Sequence, residues 1–204
     1  MFKTIGELLA LVQSTYPELT MRLNLQAVQA VNNLTNTTDL EDVAYEFMTN
    51  AFTIFEEEIS ETDAKVAALN LITTTLYGIT CFGAENFDTL CANCISYNGK
   101  LLKKNLQAEA INISTHLFYC PFRKAGNKVM EQLRKALKVA EACLTSKPEN
   151  LYVLVQILNT YIYYYQIESE FMTKTDINDL FSLIKEIVDE MEDKKLAADG
   201  LKYL

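Results

Sequence analysis

The sequence predicts an all-α fold, an α-solenoid of stacked antiparallel helical hairpins that forms a single segment over residues 1–204. Three observations support this prediction. Apolar residues recur at helical spacing from end to end, strand signals are nearly absent, and the helices pair into hairpins whose starts are about 37 to 49 residues apart. This separation is close to the ~40–47 residues of HEAT-type repeats and exceeds the ~34 of tetratricopeptide units. The predicted hairpin starts are Phe2, Asp39, Glu85, Asn127 and Asp176.

The clearest hairpin covers residues 127–165. Its first helix, predicted over 127–145, has one apolar stripe and an opposite charged side, which is typical of a surface helix with one buried face. A turn at 146–149 follows, in which Ser146 and Glu149 fit a capping box and Pro148 suits a first helical turn. The second helix, 151–165, has no charged residue and is predicted to be covered on most sides. The charges of the first helix are Lys128, Glu131, Arg134, Lys135, Lys138 and Glu141.

The other helices are predicted from the same spacing. Their ranges are 2–13, 18–33, 41–59, 64–77, 85–101, about 105–121, 176–192 and 194–204. Capping boxes are predicted at 38–41 and 60–63. On the second helix the side predicted to face the core carries Leu19, Leu23, Ala27, Ala30, Val31 and Leu34. On the helix at 176–192 the inward residues are Ile177, Leu180, Phe181, Ile184, Val188 and Met191.

Composition argues against several function classes. The net charge of −9 and the absence of a long basic cluster disfavour a nucleic-acid-binding surface. No apolar run reaches the ~18 residues that a membrane-spanning helix needs. The sequence contains no glycine-rich phosphate-binding motif and no metalloprotease motif, so we expect neither an enzyme nor a bound cofactor.

The cysteines leave one metal-binding alternative open. Cys91 and Cys94 form a CxxC pair, and His116 with Cys120 could complete a four-ligand zinc set. Both pairs lie within helical patterns, whereas zinc knuckles usually have turns beside their cysteines. Buried, uncoordinated thiols and a structural histidine are the simpler interpretation.

Charge distinguishes the two helices of each predicted hairpin. First helices are charged, whereas second helices are almost uncharged but keep a polar line that ends in tyrosine. A charge-poor surface with tyrosine is typical of the centre of a protein interface. These polar residues could equally satisfy hydrogen bonds inside the chain, and the sequence leaves both interpretations open. The three lines are Asn70, Thr74 and Tyr77; Asn112, Thr115 and Tyr119; and Gln156, Asn159 and Tyr163.

Several collinear motifs resemble one protein family over about residues 19–187. The matching segments are 43–48 (VAYEFM), 51–52 (AF), 58–60 (EIS), 81–82 (CF), 85–86 (EN), 100–104 (KLLKK), 116–118 (HLF), 128–138 (KVMEQLRKALK), 158–159 (LN) and 161–163 (YIY). They resemble the C-terminal half of the large solenoid subunit of retromer, the vacuolar protein sorting 35 family. The chain departs from that family at 121–126, where members often have a longer loop.

The resemblance implies a non-enzymatic scaffold on the cytosolic face of endosomes. In that family the C-terminal half binds the small retromer subunit, which has a metallophosphoesterase-like fold, in its concave face, and helps to recruit the WASH complex. An adaptor that binds peptides is the alternative. Combined with the polar lines, the resemblance predicts a partner-binding surface with two cationic residues at its rim. The predicted site residues are Tyr119, Tyr152, Gln156, Asn159 and Tyr163, with Arg134 and Lys138 at the rim.

Overall fold

The computed structural model describes residues 1–34, 40–120, 123–167, 169–191 and 193–202. The chain forms two compact units, unit 1 over Met1–Asn98 and unit 2 over Gly99–Leu204. The all-α prediction is confirmed, since ten α-helices make up most of the described residues and pack against their chain neighbours within each unit. No helix in these ranges is both long and apolar enough to cross a membrane.

Unit 1 contains α1 (Phe2–Val12), α2 (Pro17–Asn32), α3 (Glu41–Glu57), α4 (Thr62–Gly78) and α5 (Ala84–Gly99). Two side chains hold the α4–α5 loop in place. The Asn32 amide oxygen accepts hydrogen bonds from the backbone N–H of Thr80 at 2.8 Å and of Cys81 at 3.0 Å. Oε1 of Glu41 accepts one from the backbone N–H of Gly83 at 2.7 Å. These hydrogen bonds join the end of α2 and the start of α3 to the loop that precedes α5.

The prediction for the buried side of α2 was largely wrong. Leu19 is 55% exposed and Leu23 is 36% exposed, and Ala30 and Leu34 also lie at the surface. The helix instead buries the opposite side against α3, while Ala27 and Val31 are buried as predicted. Because α2 has apolar residues on two faces, periodicity alone cannot say which face is covered. The buried face contains Thr20, Met21, Asn24, Leu25, Ala27, Val28 and Val31.

The predicted capping boxes of unit 1 have different outcomes. Thr38 and Asp39 of the first box lie outside the described residues. The box at 60–63 is wrong, because the N-cap of α4 is Glu61, whose carboxylate accepts a hydrogen bond from the backbone N–H of Ala64 at 2.6 Å. Glutamate is not among the usual capping residues, which explains why the pattern was misassigned.

Unit 2 contains α6 (Lys104–Ser114), α7 (Gly126–Ser146), α8 (Leu151–Gln166), α9 (Lys174–Glu190) and α10 (Lys194–Leu201). The helix predicted to reach Pro121 ends at Ser114 and continues as a 3₁₀ turn, Thr115–Phe118. Two short strands follow, β1 (Tyr119–Cys120) and β2 (Arg123–Lys124), which pair antiparallel. The residue before a proline disfavours helical backbone, so an extended Cys120 agrees with its position before Pro121.

Helix α8 is covered on most sides, as predicted, and lies at the centre of unit 2. It packs against α6, α7, α9 and α10, and nine of its residues are buried: Leu151, Val153, Leu154, Val155, Ile157, Leu158, Thr160, Tyr161 and Tyr164. The predicted charged side of α7 is exposed, and Val129, Leu133, Ala136 and Ala140 on its apolar stripe are fully buried.

Three local details of unit 2 differ from prediction. A 3₁₀ turn, Pro148–Asn150, precedes α8, whose N-cap is Asn150, so the box predicted at 146–149 does not start the helix. Helix α9 starts two residues early because Thr173 and Asp176 form a capping box. Phe181 is 49% exposed, since the buried stripe of α9 is the narrow line of Leu180 and Ile184.

Candidate partner-binding surface

Four of the seven predicted site residues form one line on α8, which we call the α8 stripe. They are Tyr152, Gln156, Asn159 and Tyr163, and their spacing of three or four residues places them on one side of the helix. Asn159 is exposed, Tyr163 is 37% exposed, and Gln156 and Tyr152 are half-buried. The stripe therefore runs along a side of this central helix that the neighbouring helices leave partly open.

Tyr152 is the anchored end of the α8 stripe. Its hydroxyl donates a hydrogen bond to Oε1 of Glu109 at 2.7 Å and accepts one from Nδ2 of Asn105 at 3.1 Å. Both partners lie on α6, so this tyrosine links the two helices and its hydroxyl is already engaged. Sequence reasoning missed both α6 partners, although Glu109 is the only carboxylate in α6 and a lone carboxylate in such a helix is a usable signal.

An aromatic cluster surrounds the other end of the stripe. The ring of His116 lies 5.2 Å from that of Tyr163 and 5.4 Å from that of Tyr164, measured between centroids. The Tyr164 hydroxyl donates to Oγ1 of Thr115 at 3.2 Å and lies 3.3 Å from Nδ1 of His116. Burial lowers the pKa of His116, which favours the neutral imidazole. One side of the Tyr163 ring therefore packs against His116 and Tyr164, and the other side faces solvent.

Tyr119 belongs to the same aromatic cluster through β1. Its ring lies 5.8 Å from that of Tyr164 and 5.2 Å from that of Phe171, in edge-to-face geometry. The ammonium of Lys124 lies 4.1 Å from the centre of the Tyr119 ring, a cation–π contact. Tyr119 is half-buried, so the structure brings it close to the Tyr163 end of the stripe with part of its surface accessible.

Arg134 and Lys138 do not belong to the α8 stripe. Both are exposed on α7, one turn apart. Burial raises the pKa of Tyr161, Asp176 raises it further, and Arg134 acts in the opposite direction, so Arg134 is near this phenol. Because Tyr161 is two positions from Asn159 and from Tyr163, it points about 200° away from the stripe. The structure thus does not bring Arg134 together with the four residues of α8.

The polar lines of the second helices differ in their surroundings. Asn112 donates through Nδ2 to Oγ1 of Thr160 at 2.9 Å, and Thr115 donates to the carbonyl of Asn112 at 2.7 Å. Both residues are buried, so these two members of the polar line form hydrogen bonds inside unit 2. In α4, by contrast, Thr74 is exposed while Asn70 and Tyr77 are half-buried. Partial exposure of such a line is therefore found on α4 and α8.

The structure gives the zinc alternative no support. Cys91 and Cys94 are buried in α5 of unit 1, and burial raises the pKa of Cys94 to about 12, which keeps the thiol protonated. His116 and Cys120 belong to unit 2. Across the described ranges, no group of three or more His, Cys, Asp or Glu side chains is arranged to hold a metal ion.

Comparison with known proteins identifies the family. The family model of vacuolar protein sorting-associated protein 35 matches residues 1–187. The chain is 41% identical over 179 residues to vacuolar protein sorting-associated protein 35B of Arabidopsis thaliana, which covers 82% of this chain and 22% of that relative. It is 37% identical over 187 residues to protein 35C of the same plant, covering 86% and 23%.

A more distant relative extends the match to fungi. The chain is 32% identical over 177 residues to vacuolar protein sorting-associated protein 35 of Schizosaccharomyces pombe, which covers 83% of this chain and 20% of that protein. It spans about a fifth of the length of these curated relatives. The resemblance seen in the motifs is confirmed, and the chain belongs to the vacuolar protein sorting-associated protein 35 family.

Proposed function

We propose that this chain is a segment of the large scaffold subunit of retromer, from its C-terminal half, and acts in protein sorting without catalysing a reaction. Family membership over residues 1–187 is the observation that supports this proposal most strongly. The charge-poor α8 stripe, which unit 2 leaves partly exposed, agrees with a role in binding another folded protein. The chain would act as a peripheral protein on the cytosolic face of endosomes.

The proposed partner of the α8 stripe is the small retromer subunit with the metallophosphoesterase-like fold. Asn159 and Tyr163 would supply the accessible contacts, an amide and an aromatic edge, while Tyr119 would extend the surface beyond the helix end. The hydrogen bonds of Tyr152 and the ring packing around Tyr163 hold these side chains in place before binding, which lowers the entropic cost of ordering them. Tyrosine is among the residues enriched at interface hot spots.

Arg134 and Lys138 are proposed to contact the same partner at its polar rim. Because Arg134 lies by Tyr161, on the other side of α8 from the stripe, one partner can reach both regions only by extending around unit 2. Charges at a rim mainly change the association rate and its dependence on salt. Replacing both residues by Glu should therefore slow association at low salt while leaving the dissociation rate nearly unchanged.

Isothermal titration with the purified small subunit tests the stripe. We expect Asn159→Asp and Tyr163→Asp each to weaken binding by at least ~2 kcal/mol, about 30-fold. Asn178→Asp on exposed α9 is the matched control for the amide. Tyr16→Asp is the control for the aromatic residue, since Tyr16 is 59% exposed and belongs to unit 1. Unchanged affinity for both stripe variants, with normal helicity, would remove the stripe from the interface.

Recruitment of the WASH complex is a second proposed partnership, and it rests on family resemblance alone. A pull-down with the same panel of variants would show whether that complex uses the α8 stripe or another surface. Retention of the complex by the Tyr163→Asp variant, together with loss of the small subunit, would assign the two partners to different surfaces.

A further inference from the structure

Unit 2 contains a pocket of about 440 Å³ where the ends of α7 and α9 meet the start of α10, and we call it the α9–α10 pocket. Its volume is within the ~300–1,000 Å³ of pockets that hold small molecules. The match to the family model ends at residue 187, whereas most of the lining residues come later in the chain. No residue of the α8 stripe lines the pocket, so neither the family comparison nor the stripe accounts for it.

Most of the pocket wall is apolar. Ile187 and Met191 come from the end of α9 and Leu196 from α10, and all three are half-buried. Leu144, in the last turn of α7, is half-buried as well, and Pro148 of the 3₁₀ turn before α8 is exposed. A ligand with an apolar body would remove this surface from water, which favours binding.

Two carboxylates line the same pocket. Glu190 is the last residue of α9, and its exposed side chain forms no hydrogen bond or ion pair within the described part of the chain. Asp193 is the N-cap of α10, where its Oδ1 accepts hydrogen bonds from the backbone N–H of Lys195 at 2.9 Å and of Leu196 at 3.1 Å. Among the described residues, no Lys or Arg side chain lines the pocket. The two negative charges therefore have no cationic neighbour in the pocket wall.

The helix backbones add to this negative potential. Helices α7 and α9 both end at the pocket, and neither has a basic residue in its last turn. The last carbonyl groups of a helix have no partner within it, so its C-terminal end has a partial negative charge. Residues 186–193 also contain five Asp and Glu and no Lys or Arg. The pocket thus combines an apolar wall with a negative end, which a neutral or anionic ligand would not complement.

We propose that the α9–α10 pocket binds a small organic cation, a primary ammonium group attached to an apolar body. The ammonium pairs with Glu190 and Asp193 at the end of α9. The apolar body packs on Leu144, Ile187 and Leu196. This ligand class follows from the pocket alone and does not depend on the proposed function.

NMR titration of the whole chain, with methyl-labelled methionine, tests the proposal. The probe is 4-phenylbutylamine, a cation near pH 7, and its matched probes are the neutral 4-phenylbutanol and the anionic 4-phenylbutyrate. We expect the amine to shift the methyl signal of Met191 saturably, and Met191→Leu identifies that signal by its loss. The alcohol should bind at least about tenfold more weakly, because it lacks the charge that two carboxylates and two helix ends attract. The butyrate should not saturate.

The other methionines show whether binding is local. Met21 and Met48 are buried in unit 1, so their methyl signals should stay unchanged during the titration. An amine that does not saturate the Met191 signal, or equal binding of the three probes, would overturn the proposal.

A double substitution tests the role of charge. Glu190→Gln combined with Asp193→Asn should reduce the preference for the amine over the alcohol to about twofold or less. Asparagine is as good an N-cap as aspartate, so α10 should keep its start. Glu131→Gln is the matched control, since Glu131 is exposed on α7 about 20 Å along the helix from Leu144. An unchanged preference in the double variant would exclude these carboxylates as the cation site.

A second substitution tests the apolar wall. Leu196→Ala should weaken the amine and the alcohol by a similar factor of about five, because both lose the same apolar contact. Leu102→Ala is the control, since Leu102 is 86% exposed and does not line the pocket. Thermal unfolding verifies that each variant is folded. Normal amine binding by a folded Leu196→Ala variant would exclude the pocket.

These outcomes are independent of the retromer proposal. The small subunit is titrated against the α8 stripe, and the ammonium probe reports on α7, α9 and α10. Normal binding of the small subunit without binding of the amine would reject only the α9–α10 pocket, and the reverse result would reject only the stripe.

Discussion

The hydroxyl of Tyr152 lies 2.7 Å from Oε1 of Glu109 and donates a hydrogen bond that joins the start of α8 to α6. The hydroxyl oxygen of Tyr152 also accepts a hydrogen bond from Nδ2 of Asn105. Tyr152→Phe removes the hydroxyl and leaves both partners unpaired at a partly buried site. We expect the free energy of unfolding to fall by about 1–2 kcal/mol, as measured by urea denaturation.

Tyr163→Phe is the control for that measurement. No hydrogen bond of the Tyr163 hydroxyl is found among the described residues, and its ring contacts do not depend on the oxygen. Removing this hydroxyl should change the free energy of unfolding by no more than about 0.5 kcal/mol. An equal loss in both variants would show that the bond between Tyr152 and Glu109 contributes nothing measurable.

His116 should make stability depend on pH. Burial lowers the pKa of His116 below its ordinary value of 6.5, so the unfolded chain takes up a proton at a higher pH than the folded chain does. The contribution of the neutral imidazole to the free energy of unfolding is complete above about pH 6.5. It is lost as the pH falls through the lower pKa of the folded state. The only histidine in the sequence gives one imidazole signal, so its pKa can be measured directly by NMR titration.

The His116→Gln variant should lose this pH-dependent component. Between about pH 8 and 5.5 the free energy of unfolding of the parent chain should decrease more steeply than that of the variant, because most carboxylates titrate below this range. Parallel curves for the two proteins, or an NMR pKa above 6.5, would contradict the assignment of a half-buried neutral imidazole.

Much of the helical architecture was predictable because the two faces of several helices differ sharply. Helix α7 has six charges on its exposed side and fully buried Val129 and Leu133 on the other, so one periodicity fixes its orientation. Helix α8 has no charge at all, and its burial on most sides follows from that composition. The sequence of α2 is apolar on two faces, so both orientations satisfied the pattern and packing against α3 decided between them.

The candidate site was predictable only in part. Spacing placed Gln156, Asn159 and Tyr163 on one side of α8, which depends on the helix alone. The position of Arg134 depends on how α7 lies against α8, and helical spacing contains no information on that angle. The internal bonding of Asn112 likewise depends on Thr160 of another helix, 48 residues along the chain.

Two glycines should respond oppositely to substitution by alanine. An added Cβ at Gly200 would lie 2.9 Å from Cβ of Leu151 and 2.8 Å from its Cδ2, because α10 packs directly on the start of α8. We expect Gly200→Ala to lower the melting temperature, with a cost of about 1–3 kcal/mol for the overpacked contact. Calorimetry on the full chain measures both variants.

Gly78→Ala is the matched control. An added Cβ at Gly78 meets no atom within 4 Å, and the residue lies at the end of α4. Alanine restricts the unfolded chain more than glycine does, so this variant should keep or raise stability by up to about 1 kcal/mol. Equal melting temperatures for the two variants would mean that α10 does not pack tightly on Leu151.

The five cysteines should differ in reactivity. Cys81 is half-buried, whereas Cys91, Cys94, Cys120 and Cys143 are buried. Burial raises the pKa of Cys81 and raises that of Cys94 to about 12, so the thiolate that attacks a disulfide reagent is scarce at both sites and scarcest at Cys94. With an aromatic disulfide reagent near pH 8 we expect slow reaction of Cys81 in the native chain, loss of that phase in Cys81→Ser, and reaction of Cys94 only after unfolding. Stoichiometric zinc by elemental analysis, with further thiols released by a chelator, would instead support the ligand set of Cys91, Cys94, His116 and Cys120.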